Sequence, residues 1–275
     1  MVLGKPQSGC SGPRIAGERP AISPFLFRKL AVFARLLPEE TAFLNSLVSS
    51  EGHAPADHHL VRCGEDYGPV LVVNDGWAVR YRTLADGSRQ IANFILPGDF
   101  IGLNATVMAV SDYDVASITP MTFSRIRVED IIGMIERHPR LCAAIFWCNA
   151  REESILFEHL TSLGRRTAYE RVAHLLVELL RRLQLIDLAE GDSFVMPLTQ
   201  QLIADSVGLT AIHVNRMMRS LENEGLISYS RHPVPRIYIR DVRRLEAAAG
   251  FEDGYLHFTE MPRRTRQALT SVGME

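Results

Sequence analysis

Residues 198–221 read LTQQLIADSVGLTAIHVNRMMRSL, and they decide what the C-terminal part of the chain folds into. The spacing fits a helix-turn-helix position by position. Ile203 is apolar and Ala204 small where two helices must touch, Gly208 falls at a turn that needs a left-handed backbone, and Val207, Leu209, Val214 and Met217 supply buried contacts. Thr199 and Thr210 stand where each helix needs an N-cap. The second helix then projects Ala211, Ile212, His213, Asn215, Arg216 and Arg219 outward from its first turns, the part of this motif that enters the major groove of DNA. Asn215 beside Arg216 joins two base-reading side chains, Asn for adenine and Arg for guanine. His213 is open to two roles: contact with a phosphate or base, or cover for the helix beneath it.

Just downstream, Gly225–Tyr229 and Arg236–Ile239 are short β runs joined by the basic loop Arg231-His232-Pro233-Val234-Pro235, the pattern of a winged hairpin. Charge concentrates here. Between Ala211 and Arg244 stand seven arginines (216, 219, 231, 236, 240, 243, 244) against Glu222, Glu224 and Asp241. The whole chain carries a formal charge of only -2, so the local excess is what points to a polyanionic partner. Lys5 and Lys29 are the only lysines, and arginine forks make bidentate contacts to phosphate and guanine that an ammonium cannot. Thr199, Gln200, Arg231 and Arg236 therefore join the recognition-helix residues as candidate DNA contacts.

Working towards the N-terminus, residues 165–190 read as a helix with Ala168, Val172, Leu175, Leu176, Leu179, Leu180 and Leu183 on its apolar side. Residues 139–164 form a long helix whose apolar stripe exceeds what one neighbour can cover. A parallel homodimer is expected through Leu141, Ile145, Asn149, Leu156, Leu160 and Leu163, spacing two recognition helices about one DNA turn (roughly 34 Å) apart. From Leu60 to Arg127 the texture is β-rich, with Asn74-Asp75-Gly76, Asp86-Gly87 and Pro97-Gly98-Asp99 as turns of an antiparallel roll. Short helices are expected from Phe25 to Val48, the second opening at Pro38-Glu39-Glu40. The fold class is thus α+β, divided as a disordered tail (1–20), a β-roll domain (21–138), a dimerisation helix (139–164), a winged helix-turn-helix domain (165–245) and a C-terminal extension (246–275).

At 275 residues, 47% hydrophobic and 23% charged, the chain suits two domains with real cores. It lacks the roughly 18-residue apolar run of a membrane span and a secretory signal pattern, so a cytoplasmic location without membrane partners is expected. Cys10, Cys63, Cys142 and Cys148 are widely spaced and read as free thiols. Cys142 and Cys148 lie some 120° apart around the long helix, where one of them facing a dimer seam would be redox-sensitive; buried, inert cysteine is the plainer assignment.

The sequence resembles the Crp/Fnr family of bacterial transcription regulators from Phe25 to Ile239. The resemblance rests on Leu198-Thr199-Gln200, Gly208, His213-Val214-Asn215-Arg216, Glu224-Gly225-Leu226-Ile227, and the roll turns Gly64-Glu65, Asp75-Gly76, Asp86-Gly87 and Pro97-Gly98-Asp99-Phe100-Ile101-Gly102. It implies a homodimer on a two-fold-symmetric double-stranded operator, with RNA polymerase as a further partner. Where cyclic-AMP binders of the family carry a phosphate-binding arginine step, this chain has Gly102-Leu103-Asn104 and Asp112-Tyr113-Asp114-Val115, and Leu156-Phe157 replaces their polar pair on the long helix. Acids there would repel a cyclic phosphodiester. The oxygen-sensing branch needs four thiolates for its iron-sulfur cluster, and only Cys10 and Cys63 lie near the corresponding region.

No cofactor, metal or effector follows, and no enzymatic activity. The rival is a cupin-like small-molecule or metal-binding barrel without DNA binding, suggested by His53, His58 and His59. Adjacent His58 and His59 would point to opposite faces of a strand, and a cupin's H-x-H pair is missing.

Overall fold

The computed structural model describes residues 21–256 other than Ala34 and His232, together with Arg264 and Gln267. The expected tail, Cys10, His232 in the wing loop and nearly all of the extension beyond Leu256 lie outside the described residues.

Chain order runs α1 (Pro24–Phe33), α2 (Pro38–Ser46), β1 (Val48–Ala54), β2 (His59–Val61), β3 (Val70–Asp75), β4 (Ala78–Thr83), β5 (Arg89–Ile95), β6 (Phe100–Ile101), β7 (Asp114–Ser117) and β8 (Met121–Ile126). The strands form two antiparallel four-stranded sheets, ordered β1-β8-β3-β6 and β2-β7-β4-β5. Between them Leu71, Val73, Ala78, Ile95, Val115 and Phe123 are buried, one face of each strand. Gly64, Gly76, Gly87 and Gly98 all take positive φ at the turns.

Next come α3 (Val128–Arg137), α4 (Pro139–Arg165), α5 (Ala168–Leu185), β9 (Ala189–Glu190), β10 (Ser193–Val195), α6 (Gln200–Val207), α7 (Ala211–Asn223), β11 (Ile227–Ser230), β12 (Arg236–Ile239) and α8 (Val242–Ala249). The wing is larger than a hairpin: β11-β12-β10-β9 is one antiparallel sheet. The domain boundary drawn at residue 245 falls inside α8. That helix starts on the Asp241 side-chain cap, buries Leu245 and Ala249, and packs on α5, so the first part of the extension completes the helical domain.

The α5 capping box, in which Thr167 accepts from the Glu170 amide and Glu170 accepts from the Thr167 amide, starts the helix that carries the domain core. Val172, Leu176, Leu179 and Leu180 of α5 share that core with Ile203, Val214, Leu221 and Ile237, and also with Trp77, Val79, Tyr81 and Ile91 of the roll. The helical domain thus rests on the outer face of β4 and β5.

A charged seam reinforces this contact. Asp99 accepts hydrogen bonds from Lys29 of α1, from Arg182 of α5 and from the Leu96 amide. Burial works against its charge, but the two cations hold its carboxyl below the usual range. Arg182 also donates to the Phe94 carbonyl at 2.7 Å and to Glu178 at 3.4 Å. Glu178 in turn meets His159 of α4 at 3.0 Å and accepts from the Tyr255 hydroxyl at 3.0 Å. Burial opposes ionisation of Glu178, yet His159 and Arg182 bring it down to about 2. On the rim, Arg89 of β5 donates twice to Asp205 of α6, at 2.9 and 3.0 Å.

Candidate nucleic-acid interface

Two threonine caps and one glycine shape the reading head. Thr199 Oγ1 accepts from the Leu202 amide at 3.2 Å, starting α6; Thr210 Oγ1 accepts from the His213 amide at 3.2 Å, starting α7. Between them Gly208 adopts φ 64° and ψ 43°, and a Cβ there would stand 3.1 Å from Leu163 Cδ2. Both the backbone conformation and the close approach of α4 call for glycine. Arg171 of α5 donates to the Val207 carbonyl at 3.2 Å, satisfying the end of α6. Ile203, Ala204, Val207, Val214 and Leu221 are buried between the helices, with Leu209 and Met217 packed partly against them.

The opposite face of α7 is left to solvent. Ile212, Asn215, Arg216, Arg219, Ser220 and Asn223 line one shallow surface along the helix, recurring at alternating steps of three and one residues. No acidic residue occurs between Asp205 and Glu222. Arg216 Nη2 lies 2.8 Å from His213 Nε2; since a guanidinium only donates, the imidazole accepts, and His213 holds Arg216 in place. His213 is half-buried, so it serves as a support beside the arginine as well as partial cover for the helix.

A groove of about 780 Å³ beside this face brings Thr199, Gln200, Asn215, Arg219 and the exposed Arg231 to one place. Ala211 lies apart from it, in the cleft between α7 and the β4–β5 turn. Arg236 departs from expectation. Its guanidinium donates to Ser193 Oγ at 3.1 Å and to Glu190 at 3.0 Å, and its side chain is largely covered, because β12 lies between β10 and β11 in the sheet. It braces the wing internally instead of standing free.

On α4, Leu141 and Ile145 are buried within the protomer against α1 and α3 residues such as Leu26, Leu30 and Met134. Leu163 is half-buried next to Gly208. The side chains that α4 leaves open are Phe146 (72% exposed), Phe157 (69%) and Leu160 (65%), with Asn149 exposed and Leu156 half-covered. Burial raises the Cys148 thiol to about 12 and pushes the Cys142 thiol up as well, disfavouring the thiolate form of both.

In the roll, a cavity of about 240 Å³ lies where β4, the β5–β6 turn and α4 meet. The sequence pattern after Gly102 shows no phosphate-binding arginine, yet Arg80 from β4 and Arg151 from α4 both line this cavity. Arg151 Nε donates to the Leu256 carbonyl at 3.2 Å, while Arg80 stacks 4.9 Å over the Tyr113 ring with its buried Nε lacking a hydrogen-bond partner among the described residues. Lys29 and Asp99 pair with each other, and Glu152 and Glu153 face the same space. His53 and His58 are exposed and His59 lies near Tyr81. Among the described residues no three His, Cys, Asp or Glu side chains gather to hold a metal ion, and no helix is long and apolar enough to cross a membrane.

Two family models match the chain: a cyclic nucleotide-binding domain over residues 51–138 and a Crp-like helix-turn-helix domain over 170–248. The chain is 30% identical over 234 residues to the transcriptional activator protein FnrL of Cereibacter sphaeroides, covering 83% of this chain and 92% of that protein. It is 34% identical over 169 residues to the nitrogen fixation regulation protein FixK of Bradyrhizobium diazoefficiens, covering 62% of this chain and 69% of that one. Among solved structures, FixK2 from Bradyrhizobium japonicum superposes with a TM-score of 0.68 at 27% identity, over 75% of this chain and all of the other. With a β-roll, a long helix and a winged helix-turn-helix in the same order, this chain belongs to the Crp/Fnr family of DNA-binding transcription regulators.

Proposed function

We propose that two copies pair along α4 and that the dimer binds a two-fold-symmetric operator, inserting α7 of each protomer into successive major grooves. The carrying observation is the solvent face of α7: capped, without an acid before Glu222 near its end, and holding Asn215 and a His213-braced Arg216 side by side. Arg216 and Asn215 read bases; Thr199, Gln200, Arg219 and Arg231, gathered around the adjoining groove, hold phosphates. Arg236 acts by stiffening the wing.

Phe146, Ala150, Glu153, Phe157, Leu160 and Gly164 follow one another at steps of four and three residues, a heptad seam, and all but the half-covered Ala150 are exposed. Leu156, Leu160 and Asn149 stay at this seam or its edge, while Leu141 and Ile145 serve the protomer core. RNA polymerase is the further partner that family membership suggests. Selection of bound duplexes from random DNA by the full chain tests the proposal. An inverted repeat with half-site centres roughly 34 Å apart is expected; failure to enrich any sequence overturns it.

A further inference from the structure

We propose that Ile212 recognises the 5-methyl group of a thymine and thereby fixes one A·T pair of the operator, about two base pairs from the pair that Arg216 reads. This rests on the DNA-binding role of α7 proposed above and adds the chemistry of one contact. Ile212 is 85% exposed, the most exposed of the large apolar side chains among the described residues. It stands at the second position of α7, directly behind the Thr210 cap, where the helix end meets the groove floor.

Every other residue on its face is polar: Asn215, Arg216, Arg219, Ser220 and Asn223. An exposed isoleucine is a poorer helix former than Ala, Glu, Lys or Arg, so helix stability does not account for it. It has no donor or acceptor for a base edge or a phosphate. Of the groups that base pairs present in the major groove, the apolar one is the thymine methyl. A β-branched side chain in a helix has one dominant rotamer, so its methyls point in a fixed direction with little entropy left to lose on contact. Four residues separate Ile212 from Arg216, about 6 Å along the axis at 1.5 Å per residue. That matches about two steps of 3.4 Å.

The experiment uses the full chain and an operator obtained by selection. Each thymine of a half-site is replaced singly by uracil, which removes the methyl and keeps the hydrogen-bonding edge. Dissociation constants are measured at fixed salt for the wild type and for Ile212→Ala, whose melting curve should match because the side chain is exposed. One uracil position, near the guanine whose preference is lost in Arg216→Ala, should weaken the wild type roughly fourfold per half-site, the effect of one buried methyl-sized group. Ile212→Ala should bind thymine and uracil probes equally there. If every uracil probe binds the wild type as thymine does, or if Ile212→Ala keeps the preference, the proposal falls while DNA binding stands. If no duplex is selected at all, the DNA-binding proposal falls and this one with it.

Discussion

Replacing Phe157 by alanine should split the dimer and leave the protomer folded. Phe157 is 69% exposed in the protomer, so of the roughly 200 Å² that a buried phenylalanine covers, about 140 Å² per protomer is open for a partner. Alanine retains roughly a third of that, a loss of about 90 Å² per protomer and about 180 Å² per dimer; at about 25 cal/mol per Å² this is about 4.5 kcal/mol. The dimer dissociation constant should therefore rise by roughly three orders of magnitude. Sedimentation equilibrium of the full chain over a micromolar concentration series reads this directly. Leu141→Ala is the control, because Leu141 is buried inside the protomer. It should cost about 2–5 kcal/mol of protomer stability, seen as a lower melting temperature, with little direct effect on pairing. A wild-type monomer at micromolar concentration, or a Phe157→Ala dimer as tight as wild type, would show that α4 does not form the seam.

Cyclic AMP should neither raise the melting temperature nor alter operator affinity, since Glu152 and Glu153 share the cavity of Arg80 and Arg151 and would repel its phosphate. A ligand at a hundredfold excess over its dissociation constant would add about 2.7 kcal/mol, so a melting shift of several degrees would overturn this. Stability should fall as pH drops from 6.5 to about 4. His174 is held down to about 4, chiefly by burial; the unfolded chain binds that proton below 6.5 and the folded chain resists it, for a total of about 3 kcal/mol. His159 acts oppositely: burial disfavours its charge, but Glu178 outweighs burial and raises its pKa, so its contribution is full below 6.5 and is lost as pH climbs through the raised value. Chemical denaturation across pH 4–6.5 should show a shallower slope for His174→Gln, and an unchanged slope would overturn the assignment.

The helix-turn-helix was legible because its constraints are local: Thr199, Gly208 and Thr210 each act within a few residues, and all three do what their positions imply. Other elements left weaker marks. β9 and β10 have two and three residues, too few to show a period, although Gly191 with φ 59° marks their turn. In α3, Glu129 and Asp130 in the first turn and the Ile131–Met134 spacing were the available signals. The stripe on α4 combined two surfaces. Periodicity finds apolar residues but does not separate those facing the protomer's own α1, such as Leu141 and Ile145, from those facing a partner, such as Phe157. Nonlocal pairs were silent for the same reason: Glu190 meets Arg236 across 46 positions, and Arg80 reaches the α4 cavity through the fold alone.

Whether α7 reads sequence turns most directly on Arg216→Ala, titrated with salt on the selected operator and on a scrambled duplex. The loss should be about 1–3 kcal/mol on the operator and slight on the scramble, with preference flattened at one base pair per half-site. Equal losses on both duplexes would make Arg216 a phosphate anchor and take base reading away from the residue that His213 braces.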